Sequence, residues 1–278
     1  MLRARGASTL ATERYVQPVT REAASACGLR LASLDVDREG AAVERLGSAD
    51  AALLTAAHQF PIGVPLAARR RAIAIEWALD TGGLIIEDDY DGEFRYDRHP
   101  LGAVQALAPQ RVVYAGTASK TLAPGLRLGW LVLPAHLVDE VVAAKALADR
   151  GTGAIDQLTL AEFIVSGAYD RHVRRARIIY RRRRDRLVAA LGRHAPQVRI
   201  SGIAAGLHAL VELPDPLRED DVVARAAARG LSLQGLGVYA HGSRPHPQAL
   251  VVGYAKPPEH AFTGAVARLA AVLRDATR

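Results

Sequence analysis

Short apolar runs that end in polar residues, spaced by helix-length segments, constrain this chain more than any other feature. Residues 51–55 read AALLT. Leu84, Ile85 and Ile86 run into Glu87, Asp88 and Asp89. Val112, Val113 and Tyr114 form another run, and residues 128–133 a further one bounded by Pro134. Runs of this length suit strands buried on both faces. Residues 66–81 read as a helix, with Ile73, Ile75, Trp77 and Ala78 among its apolar positions and Gly82-Gly83 as its stop. Residues 58–64 form a Pro/Gly loop. Upstream, residues 20–27 read as a short helix with Thr20 as N-cap and Gly28 as stop, and residues 29–36 as a strand. Residues 1–18 show no period and are read as irregular. Strands alternating with helices predict a mostly parallel α/β sheet with helices on both faces. Polar residues just after the strands fit a ligand at the sheet's carboxyl edge.

Beyond about residue 156 the pattern changes. A long helical stretch to residue 191, with a break at Gly167, is followed by strands at 198–200, 207–213, 231–233 and 250–254. Helices are expected at 219–229 and 258–273. This predicts three regions: an irregular N-terminus (1–18), a large α/β domain (19–166), and a smaller α+β domain (167–278) entered by a long helix.

Composition excludes several classes. No apolar run approaches the roughly 20 residues of a membrane span, and the first residues lack the apolar core of a signal peptide. The single cysteine, Cys27, allows no internal disulfide. Cytoplasm is the expected location. The net charge of +7 raises the question of nucleic acid. Only Lys120, Lys145 and Lys256 are lysines, so 36 − 3 = 33 of the basic residues are arginines. That bias reads as GC-rich coding. Much of it lies in residues 171–186, where Val173, Ala176, Ile179, Tyr180 and Leu187 recur at helical spacing and leave the arginines on a solvated face. Neither nucleic-acid nor membrane binding is expected, and the acidic run 87–93 lacks the ligand spacing of a calcium loop.

Three segments carry the chemistry: IIEDDYDGEF (85–94), YAGTASK (114–120) and LAPGLRLGW (122–130). Lys120 follows a strand and sits among small residues, which let a flat cofactor approach the backbone. A partly desolvated lysine amine is available for Schiff-base chemistry. A pyridine nitrogen requires a carboxylate partner, and Asp88 at a strand's end supplies one, with Asp89 as its rival. Tyr90 lies on the same side of an extended chain as Asp88 and can bond a phenolic oxygen. Thr117, Ser119 and Arg127 offer hydroxyls and a guanidinium for a phosphate. His58 and Gln59 lie in the Pro/Gly loop. His208 and His241 read as structural.

These segments resemble fold-type I pyridoxal-phosphate (PLP) enzymes of the aminotransferase class I/II group, and most closely the aminotransferase-like domain of MocR-type regulators of the GntR family. The resemblance also rests on HQFPIG (58–63), RHVRRARIIYRRRRDRL (171–187) and GLHALVELP (206–214), and runs from about Val19 to the C-terminus. It implies the PLP-dependent transferase fold type I. It implies PLP bound through a Schiff base on Lys120, with Asp88 on the pyridine nitrogen, Tyr90 on the phenolic oxygen, Ser119 and Arg127 on the phosphate, and His58 near the ring. It implies amino-group chemistry on an amino acid or amine in a homodimer. The family's winged-helix domain, its phosphate loop and its stacking aromatic are not found, so the chain reads as starting mid-domain. The strand at 250–254 reads LVVGY, without the arginine that often holds a substrate carboxylate. That departure leaves two alternatives: a transaminase, or a non-catalytic sensing domain of a regulator. A nonfunctional remnant is a third, weaker reading.

Overall fold

A computed structural model describes residues 1–96, 101–242 and 244–276. A six-stranded sheet is built from β1 (Thr9–Glu13), β2 (Arg30–Leu34), β5 (Ala51–Leu54), β6 (Leu84–Asp89), β7 (Val112–Thr117) and β8 (Gly129–Val132). Its order is β2-β1-β5-β6-β7-β8. Neighbours are parallel from β2 to β7, and β8 runs antiparallel to β7. The two-residue strands β3 (Val36–Asp37) and β4 (Gly40–Ala41) form a separate hairpin. Helices α1 (Pro18–Ala26) and α2 (Ala68–Thr81) link the parallel strands. Ala52, Leu54, Ala74, Ala78, Ile85 and Val112 form the core between α2 and the sheet. Each fully buried leucine or isoleucine there contributes about 1.5–3 kcal/mol.

The N-terminal expectation is corrected. Residues 1–18 are not irregular: β1 lies inside the sheet and all five of its residues are buried. Its TLATE sequence carries three polar groups, so it shows neither an apolar run nor a clean alternation. The polar groups are accommodated by partners far away in sequence, as for Glu13 with Thr55 and Gln59. The first helix starts at Pro18, the favoured first helical position, so Thr20 lies inside it.

After β8 come α3 (Val138–Asp149), α4 (Ala154–Val165) and α5 (Ala168–His194). Gly167 separates α4 from α5 at φ 68°, where the sequence placed a break. Helix α3 buries no residue, so its sequence carried no period to find. A four-stranded antiparallel sheet follows, ordered β11-β12-β10-β9, from β9 (Arg199–Ser201), β10 (His208–Glu212), β11 (Gln234–Gly235) and β12 (Ala249–Gly253). The strand expected at 231–233 is displaced: Gln234 and Gly235 make the pairing, while Leu231 and Leu233 pack on the core. Helices α6 (Glu219–Ala227) and α7 (Glu259–Ala276) cover this sheet together with α5. Among the described residues no helix is long and apolar enough to cross a membrane.

Within α5, Val173, Ala176, Arg183, Leu187 and Leu191 are buried. Arg183 is thus an exception to the solvated arginines. Its guanidinium donates to the carbonyls of Ala255 and Pro257 and to the Glu259 carboxylate. The second sheet meets the first at the carboxyl edge of the parallel strands. Tyr96 N donates to Ala204 O, Gly206 N to Phe94 O, and Val16 N to Tyr239 O.

Candidate functional site

Four adjacent parallel strands end on that edge, at Glu13, Leu54, Asp89 and Thr117. In register, Asp88 stands beside Ala115 and Asp89 beside Gly116. The acidic residues then divide by partner. Glu87 accepts from the backbone N–H groups of Val104 and Gln105, at 3.0 Å each. Asp89 accepts from the Tyr114 hydroxyl at 2.7 Å. The Asp88 carboxylate makes no hydrogen bond to a described residue. Burial pushes its carboxyl up to about 6, the charges of Asp89 and Asp91 add to that, and Lys120 opposes it. Asp88 is therefore a partly desolvated carboxylate with lysine as its nearby cation.

Lys120 sits on a loop closed at its neck. Ala118 N donates to Leu128 O at 3.0 Å and the Thr117 hydroxyl to the same carbonyl at 3.3 Å. Ser119 and Arg127 each lie one residue inside this closure, so the fold brings them to one place beside Lys120. Ser119 N donates to Thr117 Oγ1 at 3.1 Å, which commits the Thr117 hydroxyl to the loop itself. Arg127 is exposed and adopts a left-handed φ of 51°. From α5, Tyr169 donates to Thr121 Oγ1, and the His172 ring lies 2.7 Å from Thr121 O. The Lys120 side chain itself is exposed on the open side.

Tyr90 and His58 belong to a buried polar cluster that includes a residue the sequence reading missed. His58 Nδ1 lies 2.9 Å from Asp91 Oδ2 and 3.1 Å from the Tyr90 hydroxyl. Burial, reinforced by Asp91, pushes Tyr90's ionisation well above the usual phenol range. The His208 ring lies tilted 5.5 Å from that of His58, and burial pushes its pKa down to about 4, so it is neutral near pH 7. Phe60 meets Tyr90 and His208 edge-on. Gln59 is also buried and donates to Glu13, Tyr15 O and Phe60 O. Burial pushes Glu13 up to about 7 despite its bonds from Thr55 and Gln59. Gly206 was the available signal for this cluster: a Cβ there would lie 2.3 Å from His58 Cε1.

The donor set fits pyridoxal phosphate. A half-buried carboxylate without a hydrogen-bond partner among the described residues, an exposed lysine amine, a phenol that stays protonated, and a serine with an exposed guanidinium stand at one sheet edge. Among the described residues no group of three or more His, Cys, Asp or Glu side chains could hold a metal ion.

No family model matches the chain. It is 40% identical over 181 residues to an uncharacterized HTH-type transcriptional regulator, YhdI, of Bacillus subtilis, a match over 64% of this chain and 39% of that protein. It is 33% identical to the probable rhizopine catabolism regulatory protein MocR of Rhizobium meliloti, over 82% of this chain and 47% of that one. It is 29% identical to aromatic-amino-acid aminotransferase 1 of Thermococcus litoralis, over 78% and 52%. The chain spans about half the length of the curated relatives it matches. Among solved structures, kynurenine aminotransferase of Pyrococcus horikoshii superposes with a TM-score of 0.88 at 24% identity, covering 100% of this chain and 72% of that one. The α-aminoadipate aminotransferase LysN of Thermus thermophilus, complexed with N-(5'-phosphopyridoxyl)-L-leucine, gives 0.87 at 24% identity, covering 98% and 72%. The fold is thus that of the fold-type I aminotransferases.

Proposed function

From a chain that is an aminotransferase-like domain, homologous to MocR/GntR-type regulators and to aminotransferases, we propose a pyridoxal-phosphate site with Lys120 as the covalent attachment point. The observation that carries this reading is Asp88, a half-buried, partly desolvated carboxylate without a hydrogen bond to a described residue, set within electrostatic reach of Lys120. A protonated pyridine nitrogen supplies what Asp88 lacks: a cationic donor in a desolvated place. The Tyr90 hydroxyl, kept protonated, donates to the ring's phenolic oxygen. Ser119 and Arg127, gathered at the loop neck, hold the phosphate, with the Thr117 hydroxyl bracing the loop. His58 supports Tyr90 from behind.

When bound, the cofactor supplies an electron-withdrawing ring that stabilises a carbanion beside the amine nitrogen. Asp88 holds the proton on the ring nitrogen so that the ring keeps that character. Once the incoming amine has displaced it from the cofactor, Lys120 Nζ would be the free amine that moves the substrate's α-proton. The substrate is an amino acid or amine. We place the unit carrying this chemistry at residues 19–166 together with β1, and the smaller one at 167–278, in a cytoplasmic homodimer.

The second reading is a domain of a transcription regulator that senses PLP or an amine without turning it over. It is favoured by β12, whose residues Ala249–Gly253 are ALVVG and hold no cation for a substrate carboxylate. One experiment tests both. PLP is added to wild type and to Lys120→Ala, and the visible band of lysine-linked pyridoxal is recorded. The band is expected in wild type and absent in the variant; no band in wild type sinks the cofactor assignment. Amino acids and amines are then added. A shifted band without keto product supports sensing, and keto product supports transamination.

A further inference from the structure

The cofactor reading uses Asp88, Tyr90 and Lys120, and it leaves the buried Asp91 unexplained. The Asp91 side chain is 1% exposed and that of His58 3%. An ionised carboxylate can only accept, so the 2.9 Å contact places the His58 ring proton on Nδ1. The Tyr90 hydroxyl approaches the same nitrogen at 3.1 Å. With Nδ1 already a donor, Tyr90 has no reason to spend its own proton on His58. It receives at most a second branch of the N–H, and its own proton is left for Asp91 beside it or for an incoming acceptor.

The surroundings hold this arrangement at a cost. Asp91 Oδ1 is buried and finds no hydrogen-bond partner among the described residues, a situation worth about 1–3 kcal/mol of instability. Gly206 lies at φ 75° and leaves no room for a side chain, since a Cβ would stand 2.6 Å from Asp91 Oδ2. Its carbonyl is pinned by the hydroxyls of Tyr96 and Tyr254, at 2.6 Å each. A carboxylate kept only for packing would have both oxygens satisfied.

We propose that Asp91 is a positioning residue: through the Nδ1–H tautomer of His58 it fixes the Tyr90 hydroxyl as a donor toward the phenolic oxygen of the bound cofactor. The proposal rests on the cofactor reading above. The titratable groups around Tyr90 are Asp88 and Asp91 on its own segment, Glu13 at the end of β1, His58 in its loop, His208 in β10 and Lys120 in its loop. Asp91 acts on the ligand through Tyr90, both directly and by way of His58. Replacing it by asparagine keeps the shape and lets an amide N–H donate to Nδ1, which favours the other tautomer and draws the Tyr90 proton toward His58.

Two measurements test this. The first needs no cofactor: nitrogen NMR of histidine-labelled protein, with the His58 signals assigned by their loss in His58→Gln. Wild type is expected to carry the proton on Nδ1 and Asp91→Asn on Nε2; the same tautomer in both overturns the proposal. The second follows the visible band against pH in PLP-loaded protein. A donor on the phenolic oxygen spreads that oxygen's negative charge, so losing it strengthens the proton's hold on the neighbouring nitrogen. Tyr90→Phe should therefore move the band's pH midpoint upward, by about one unit for the loss of one strong hydrogen bond. Asp91→Asn should move it in the same direction and add nothing in the Tyr90→Phe background. An unchanged midpoint, or an equal shift in that background, overturns the proposal. If Asp91→Asn fails to fold, His58→Gln should give the same shift. A wild type without a Lys120-dependent band sinks the cofactor reading and the donor role with it, while the histidine tautomer still decides what Asp91 does to His58.

Discussion

Gly206→Ala offers a test whose size can be worked from the coordinates. Two penalties apply. The first is the backbone: at φ 75° an alanine costs about 1–2 kcal/mol relative to glycine. The second is steric, because the new Cβ would stand 2.3 Å from His58 Cε1 and 2.6 Å from Asp91 Oδ2. The backbone cannot yield easily, since Gly206 N donates to Phe94 O and its carbonyl accepts two tyrosine hydroxyls. Overpacking of this kind costs about 1–3 kcal/mol. Gly230 isolates the first penalty: its φ is 70° and a Cβ there would meet nothing within 4 Å. Urea unfolding of the two alanine variants should therefore differ by about 1–3 kcal/mol, Gly206→Ala being the weaker protein. Equal destabilisation of the two would refute the claim that His58 and Asp91 are held against a glycine by necessity.

Two desolvated carboxyls each give stability without cofactor a pH dependence of defined sign. Asp88 and Glu13 are raised by burial to about 6 and about 7, so each binds its proton more tightly folded than unfolded. Their contribution is present below the ordinary carboxyl pKa and is lost as pH rises through about 6 to 7. Asp88→Asn should weaken the pH dependence of the urea midpoint between pH 5 and pH 8, by the order of 1–2 kcal/mol after allowance for solvent screening. His208, held neutral by burial, acts in the opposite sense below about pH 6.5 in both proteins and cancels in the comparison. The same pH dependence in the two proteins would contradict the burial argument. Arg183→Met should cost about 2–4 kcal/mol by orphaning the carbonyls of Ala255 and Pro257. The exposed Arg182→Met should cost under about 0.5 kcal/mol in the same denaturation assay.

The legible parts of the fold were those where one local pattern had one cause. The apolar runs ending at Glu87 and Tyr114 gave parallel strands because both faces of such strands are covered. Gly82 at φ 75° and Gly167 at φ 68° ended and separated helices because they supply left-handed backbone at little steric cost. β1 was illegible because its polar groups are satisfied by residues 21 to 229 positions away, which no short window of sequence contains. Helix α3 escaped because it buries nothing and so has no face to read.

For the site, the sequence alone placed a lysine and an acidic run at the ends of strands of a mostly parallel sheet, and the resemblance to fold-type I enzymes paired them. It therefore named Lys120 and Asp88 together. Only the tertiary structure decided which carboxylates are committed: Glu87 to a backbone turn, Asp89 to Tyr114, Asp91 to His58, with Asp88 left over. It also gave the Thr117 hydroxyl to its own loop. The reason is the same throughout. A polar group's role depends on the partner that meets it after desolvation, and here the partners of Glu13, His58 and Gly206 arrive from distant stretches of chain.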